Sequence, residues 1–106
     1  MLDGLRRRLS RRPADVIQVH LIVKGKIGAG WYDLDERIPL RAGATLGRFL
    51  DETDRRGLGV RAAIAASPHL EHTLMLNGER CPVAVNLDRV LMDDDQIYLL
   101  SPLAGG

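Results

Sequence analysis

The sequence predicts an α+β domain in which a mixed sheet carries a helix across one face. Three observations point there. Residues 16–24 alternate strictly, with Ile17, Val19, Leu21 and Val23 on one side and Gln18, His20, Ile22 and Lys24 on the other, the period of a half-buried strand. Leu46, Phe49 and Leu50 behind Thr45 repeat at helical spacing. A short apolar run at 97–100 follows three aspartates, Asp93, Asp94 and Asp95, which reads as a tight acidic turn entering a final strand.

Taken in order, residues 1–15 read as a basic extension and 16–106 as the folded domain. Leu2, Leu5 and Leu9 sit at helical spacing among Arg6, Arg7, Arg8, Arg11 and Arg12, compatible with a short amphipathic helix. The extension reads as a solvated tail, as a contact for an acidic partner or surface, or as a short Arg-rich transit peptide, against which Asp3 argues. After the first strand, Gly25, Gly28 and Gly30 form a loose loop. A second strand, 31–40, returns with Ile38 and Leu40 toward the core and Pro39 suited to a sheet edge. Residues 41–44 turn the chain, Thr45 supplies an N-cap hydroxyl, and a helix runs to about Asp54 before Gly57 stops it. Its solvated side carries Asp51, Glu52, Arg55 and Arg56. Val60–Ala66 forms a short helix or turn closed by Pro68. Residues 70–76 then read as a third strand, Asn77-Gly78 as a tight hairpin turn, and 83–85 as a short strand or extended link. The resulting order, β-β-α-β-(short β)-β, is that of the β-grasp.

The totals fit one small domain. The chain has 106 residues, 45% of them hydrophobic and 27% charged, ordinary values for a globular protein. No apolar run approaches the ~20 residues of a membrane-spanning helix, and no secretory apolar region opens the sequence. One cysteine gives no internal disulfide and suits a reducing compartment, so the expected location is the cytoplasm. The net charge of +1 hides an asymmetry. Residues 1–13 hold five arginines and one aspartate, which leaves the remainder slightly acidic and argues against a nucleic-acid-binding core.

The last residues carry the chemistry. Pro102 cannot donate to a sheet ladder, and Leu103-Ala104-Gly105-Gly106 is too short to fold. Two glycines, lacking Cβ, leave a carboxylate at Gly106 unobstructed. Leu91-Met92-Asp93-Asp94-Asp95-Gln96-Ile97 followed by Pro102-Leu103-Ala104-Gly105-Gly106 resembles the C-terminal signature of the ubiquitin-like sulfur carriers. That family includes the small subunit of molybdopterin synthase (MoaD) and the thiamine sulfur carrier (ThiS). Upstream, the run from Ala44 through Thr45 and Phe49 to Leu50 resembles the family's helix start, and Leu74-Met75-Leu76-Asn77-Gly78-Glu79 its strand-turn segment. The resemblance covers roughly 17–106. It departs at Asp94, where the family usually has glycine, in the extension at 1–15, and in the long stretch 57–68. Pro102 makes the tail more like the molybdopterin subunit, or carriers for cysteine synthesis, than the thiamine carrier.

The resemblance implies a β-grasp fold and a chain that is not an enzyme. An ionised α-carboxylate is a poor electrophile, so activation comes in trans. An E1-like adenylating enzyme uses ATP and magnesium to form an acyl-adenylate at Gly106, and a persulfide sulfur displaces AMP to leave a thiocarboxylate. The sulfur passes to an acceptor, such as a pterin precursor held by the large subunit of a synthase. Pro102, Leu103, Ala104 and Gly105 would thread the partner's channel. The chain itself would bind no cofactor, nucleic acid or membrane, and would hold no catalytic or metal site. Tyr98 and Leu100, alternating with Ile97 and Leu99, predict an apolar outer face that either docks a partner or is covered by Val60–Ala66 or the extension. Two other readings stand beside the carrier: a ubiquitin-like modifier joined to target lysines through Gly106, and an interaction module with idle glycines.

Weaker candidates are structural by type. Cys81 has no His or Lys beside it in sequence and reads as a half-buried, inert thiol. His69 and His72 lack further ligands for a metal. The Asp93 to Asp95 run lacks calcium-loop spacing and its closing glutamate, whereas Asp tolerates the positive φ expected at Asp94.

Overall fold

Strand alternation and helical spacing sort the apolar residues into one core. The computed structural model describes residues 15–27 and 30–100. The expected extension lies outside them except for Asp15, whose carbonyl accepts from the Ala42 N–H at 2.8 Å and so belongs to the fold. β1 (Val16–Ile27) pairs antiparallel with β2 (Gly30–Arg41), in register from Val16↔Arg41 to Ile27↔Gly30. The ladder therefore takes in Gly25 and Gly30, expected in a loop, while Gly28 lies outside the described residues. Gly25, at φ 108°, lets the strand pass a point where an L side chain would be strained. Ile17, Val19, Leu21 and Val23 are all buried, as are Ile38 and Leu40, while Pro39 sits on the outer edge strand.

α1 (Leu46–Arg55) begins at Thr45, whose hydroxyl accepts from the Arg48 N–H at 3.2 Å. Leu46, Phe49, Leu50 and Thr53 form its buried stripe, and Thr53 turns its hydroxyl back to the Leu50 carbonyl at 2.6 Å. Gly57 at φ 83° ends the helix in the left-handed region. Thr45→Ala leaves one early N–H without its partner and is expected to lower stability by about 1 kcal/mol, read as a shift in the urea midpoint with an unchanged slope.

α2 (Val60–Ala66) has a glycine at its cap position. Asp54 caps it from α1 instead, accepting from the backbone N–H groups of Arg61 (2.8 Å) and Ala62 (3.2 Å). α3 (Pro68–Thr73) follows at once, correcting the strand expected over 70–76. Leu70, Leu74 and Leu76 fit a period of two, but Leu70 and Leu74 also fit one helical turn, and Pro68 is well placed in the first turn, where no N–H is needed. The Leu74 N–H reaches the Leu70 carbonyl and the Thr73 hydroxyl that of His69. The helix wins, and only Met75–Leu76 remains as β3.

Asn77 (φ 53°) and Gly78 (φ 85°) make the expected tight turn from β3 into β4 (Glu79–Arg80). Residues 83–85 are neither strand nor link. They enter a run of turns in which Asn86 donates to the Val83 and Pro82 carbonyls, burying Val83 and leaving Val85 exposed. β5 (Gln96–Leu100) closes the sheet. The strand order is β2-β1-β5-β3-β4, with β5 parallel to β1 and antiparallel to β3. The buried apolar residues of all three helices, Phe49 among them, join the inward residues of the sheet in one cluster, so the architecture is α+β with a mixed five-stranded sheet. No helix among the described residues is long and apolar enough to cross a membrane.

Candidate functional site

The acidic turn sets where β5 starts. Asp93 Oδ1 accepts from the Gln18 N–H at 2.8 Å, and Asp95 Oδ2 from the Met92 N–H at 2.8 Å. Asp95 Oδ1 also accepts from the Asn77 side-chain amide at 2.9 Å, while the Asn77 side-chain oxygen accepts from the Gln96 N–H at 2.9 Å. Asp94 takes the expected positive φ, 67°. The carboxylates of Asp93 and Asp95 thus hold backbone and turn, locking the register of β5 against β1 and the β3–β4 hairpin.

From there β5 alternates. Ile97 and Leu99 point into the core, and Tyr98 and Leu100 onto the opposite face, Tyr98 half-buried and Leu100 51% exposed. Register supplies their neighbours: Ile22 of β1 and Met75 of β3 lie opposite Tyr98 on either side, and Lys24 lies opposite Leu100. An apolar band of half-buried residues therefore crosses three strands on the face opposite the helices. Val60 and Ile64 of α2 are buried in the core cluster on the other face, so Val60–Ala66 does not cover Tyr98 and Leu100. The extension, the other proposed cover, lies outside the described residues.

Charge frames this band. His20 Nε2 lies 2.5 Å from Asp35 Oδ1, and the hydrogen bond from His20 holds the Asp35 carboxyl below the usual carboxylate range. Lys24 pairs with Asp33, which holds the ammonium pKa above its ordinary value. Trp31 at the hairpin end is 73% exposed. Sequence periodicity put His20, Ile22 and Lys24 on this side, but their juxtaposition with Tyr98, Met75 and Trp31 depends on sheet register, which periodicity does not contain.

The threading residues Pro102, Leu103, Ala104 and Gly105, and the acceptor position Gly106, lie outside the described residues; β5 delivers the chain to Leu100, beside Lys24. Cys81 is 1% exposed, fully buried rather than half-buried. His69 and His72 are both exposed on α3, and no three metal-ligating side chains converge among the described residues. No protein-family model matches the chain, and no curated protein matches it significantly.

Proposed function

We propose that the chain is a ubiquitin-like sulfur carrier with a β-grasp fold, most closely of the kind that serves molybdopterin synthesis. One observation carries the reading. The last described strand is central, clamped by β1 and β3, and its outward residues Tyr98 and Leu100 lie in an apolar band on the face opposite the helices. A carrier needs that arrangement, because a partner must grip the domain while the arm enters its active site. The strand order, with a parallel central pair flanked by two hairpins and helices on one face, supports the β-grasp assignment.

The chemistry belongs to the partner. The Gly106 carboxylate attacks the α-phosphate of ATP and pyrophosphate leaves. A persulfide sulfur then attacks the acyl carbon and AMP leaves. A thiol cleaves the acyl disulfide, with the sulfur retained as thiocarboxylate. Ordering the two glycines costs ~2–4 kcal/mol, which contacts to the band around Tyr98 must offset.

Incubation with an E1-like adenylating enzyme, ATP, magnesium and a persulfide donor, read by intact mass, tests this. Replacement of one oxygen by sulfur is the expected result. Higher-mass conjugates in extract would instead mark a protein modifier, and an unchanged mass an interaction module. The docking face is tested separately. Tyr98→Ser with Leu100→Ser is expected to weaken the complex with the adenylating enzyme ten- to a hundredfold, about 1.4–2.8 kcal/mol, with the circular dichroism spectrum unchanged. Loss of folding would show the pair to be core.

A further inference from the structure

A second site lies at the opposite end of the sheet. The first residue of β1, the end of β2, the following turn and the outer face of α1 enclose a groove of about 640 Å³. Its charged lining is four arginines, Arg41, Arg48, Arg55 and Arg56, with the single carboxylate Glu52. Helical spacing explains why they meet: positions 45, 48, 52 and 55/56 repeat along one stripe of α1, and Arg41 arrives from the end of β2.

Glu52 positions two of these groups rather than neutralising the site. Its carboxylate accepts from Arg55 Nε (3.0 Å) and Nη2 (2.9 Å) and from Arg56 Nε (2.9 Å). The hydrogen bonds from Arg55, then from Arg56, hold Glu52 below its ordinary range, so it stays ionised and keeps both forks in place. Among the described residues Arg56 is bonded through Nε alone, with neither terminal nitrogen in a hydrogen bond. Among the described residues neither Arg41 nor Arg48 has an ion-pair partner. Four guanidiniums around one carboxylate leave the groove with an excess of positive charge in a folded body that is otherwise slightly acidic.

The helix terminus contributes no donors. The N–H groups of Leu46, Gly47, Arg48 and Phe49 are bonded to Arg89, Leu87 and Thr45, so recognition falls to the guanidinium forks, which match carboxylate and phosphate oxygens. The rest of the lining decides between ligands. Val16, Pro39, Leu40, Ala42 and Ala44 give apolar contact, and no aromatic ring is present. That suits side chains of a peptide and offers no platform for stacking nucleobases.

We propose that this groove binds an acidic peptide segment of a partner protein, its carboxylates on Arg41, Arg48 and Arg56 and its apolar side chains against Leu40 and Ala44. The site does not involve residues 101–106, so it stands or falls apart from the carrier reading.

The test is fluorescence anisotropy of the full-length protein with a labelled peptide of alternating Glu and Leu, and with its Gln-for-Glu counterpart. Arg41→Glu with Arg48→Glu is expected to weaken binding of the acidic peptide at least about tenfold, and Arg41→Gln with Arg48→Gln by less, with thermal unfolding unchanged. The Gln peptide should bind at least tenfold more weakly than the Glu peptide. Equal binding of the two peptides would overturn the proposal. So would full retention of binding in the double Glu variant, which leaves the arginines of 1–13 in place to carry it. Inorganic phosphate or a single-stranded oligonucleotide that binds more tightly than the peptide through the same arginines would also overturn it.

Discussion

A chain extended by one alanine beyond Gly106, and not trimmed, is expected to form no detectable thiocarboxylate. The expectation follows from where the reacting atom sits. In the proposed reaction an oxygen of the Gly106 carboxylate must meet the α-phosphorus of ATP in line with the departing pyrophosphate, inside a channel that admits glycine backbone and little else. Displacing a reacting atom by even 1 Å costs on the order of a hundredfold in rate, and an added residue spans more than 3 Å. Gly106→Ala is the gentler version, placing one methyl beside the reacting carbon. Intact mass after incubation with the adenylating enzyme reads both variants. Sulfur incorporation by the extended chain at the normal rate would sink the carrier proposal while leaving the fold untouched.

Phe49→Ala is expected to cost about 3–5 kcal/mol, the largest loss from any single truncation in the domain. Phe49 is 0% exposed and among the largest of the fully buried side chains. It belongs to the cluster that joins α1 with the inward residues of the sheet. Domains of this size hold roughly 5–15 kcal/mol in all, so the variant would spend much of its time unfolded near body temperature. The fall in melting temperature is on the order of 15–30 °C, measured by circular dichroism at 222 nm. A small shift would mean that the neighbours collapse into the space and that the core is less tightly packed than its burial indicates. Because the change leaves the band around Tyr98 alone, the residual folded fraction should still bind the adenylating enzyme.

Much of this architecture was legible where local chemistry and global packing agree. Thr45 caps α1, Gly57 ends it and Asn77-Gly78 turns the chain because each requirement is local to one or two residues. The alternation of β1 was equally clear, since one face is buried and the other is not. Legibility failed at 70–76, where Leu70, Leu74 and Leu76 satisfy two periods at once and only tertiary contact decides. It failed at 83–85 because Val83 and Val85 share a residue type but not an environment. The candidate site divides the same way. Tyr98 and Leu100 were visible as the outward half of an apolar strand. Ile22, Met75 and Trp31 join them only once four strands are in register, and Arg41 meets the arginines of α1 only after a turn that no periodicity describes.

The position of β5 also bears on when the domain becomes competent. The centre of the sheet is made of the first strand and the last, and the Gln96 side chain meets His20 across 76 residues of chain. Everything else, the β1–β2 hairpin on one flank and the tiny β3–β4 hairpin on the other, is too small to persist alone. Contacts this far apart slow assembly, and the sheet is not continuous until β5 joins β1 to β3. A sheet without β5 therefore lacks Tyr98 and Leu100 on its outer face. Under the carrier reading, topology acts as an inspection step: a partner that grips the face around Tyr98 meets only molecules that have completed folding.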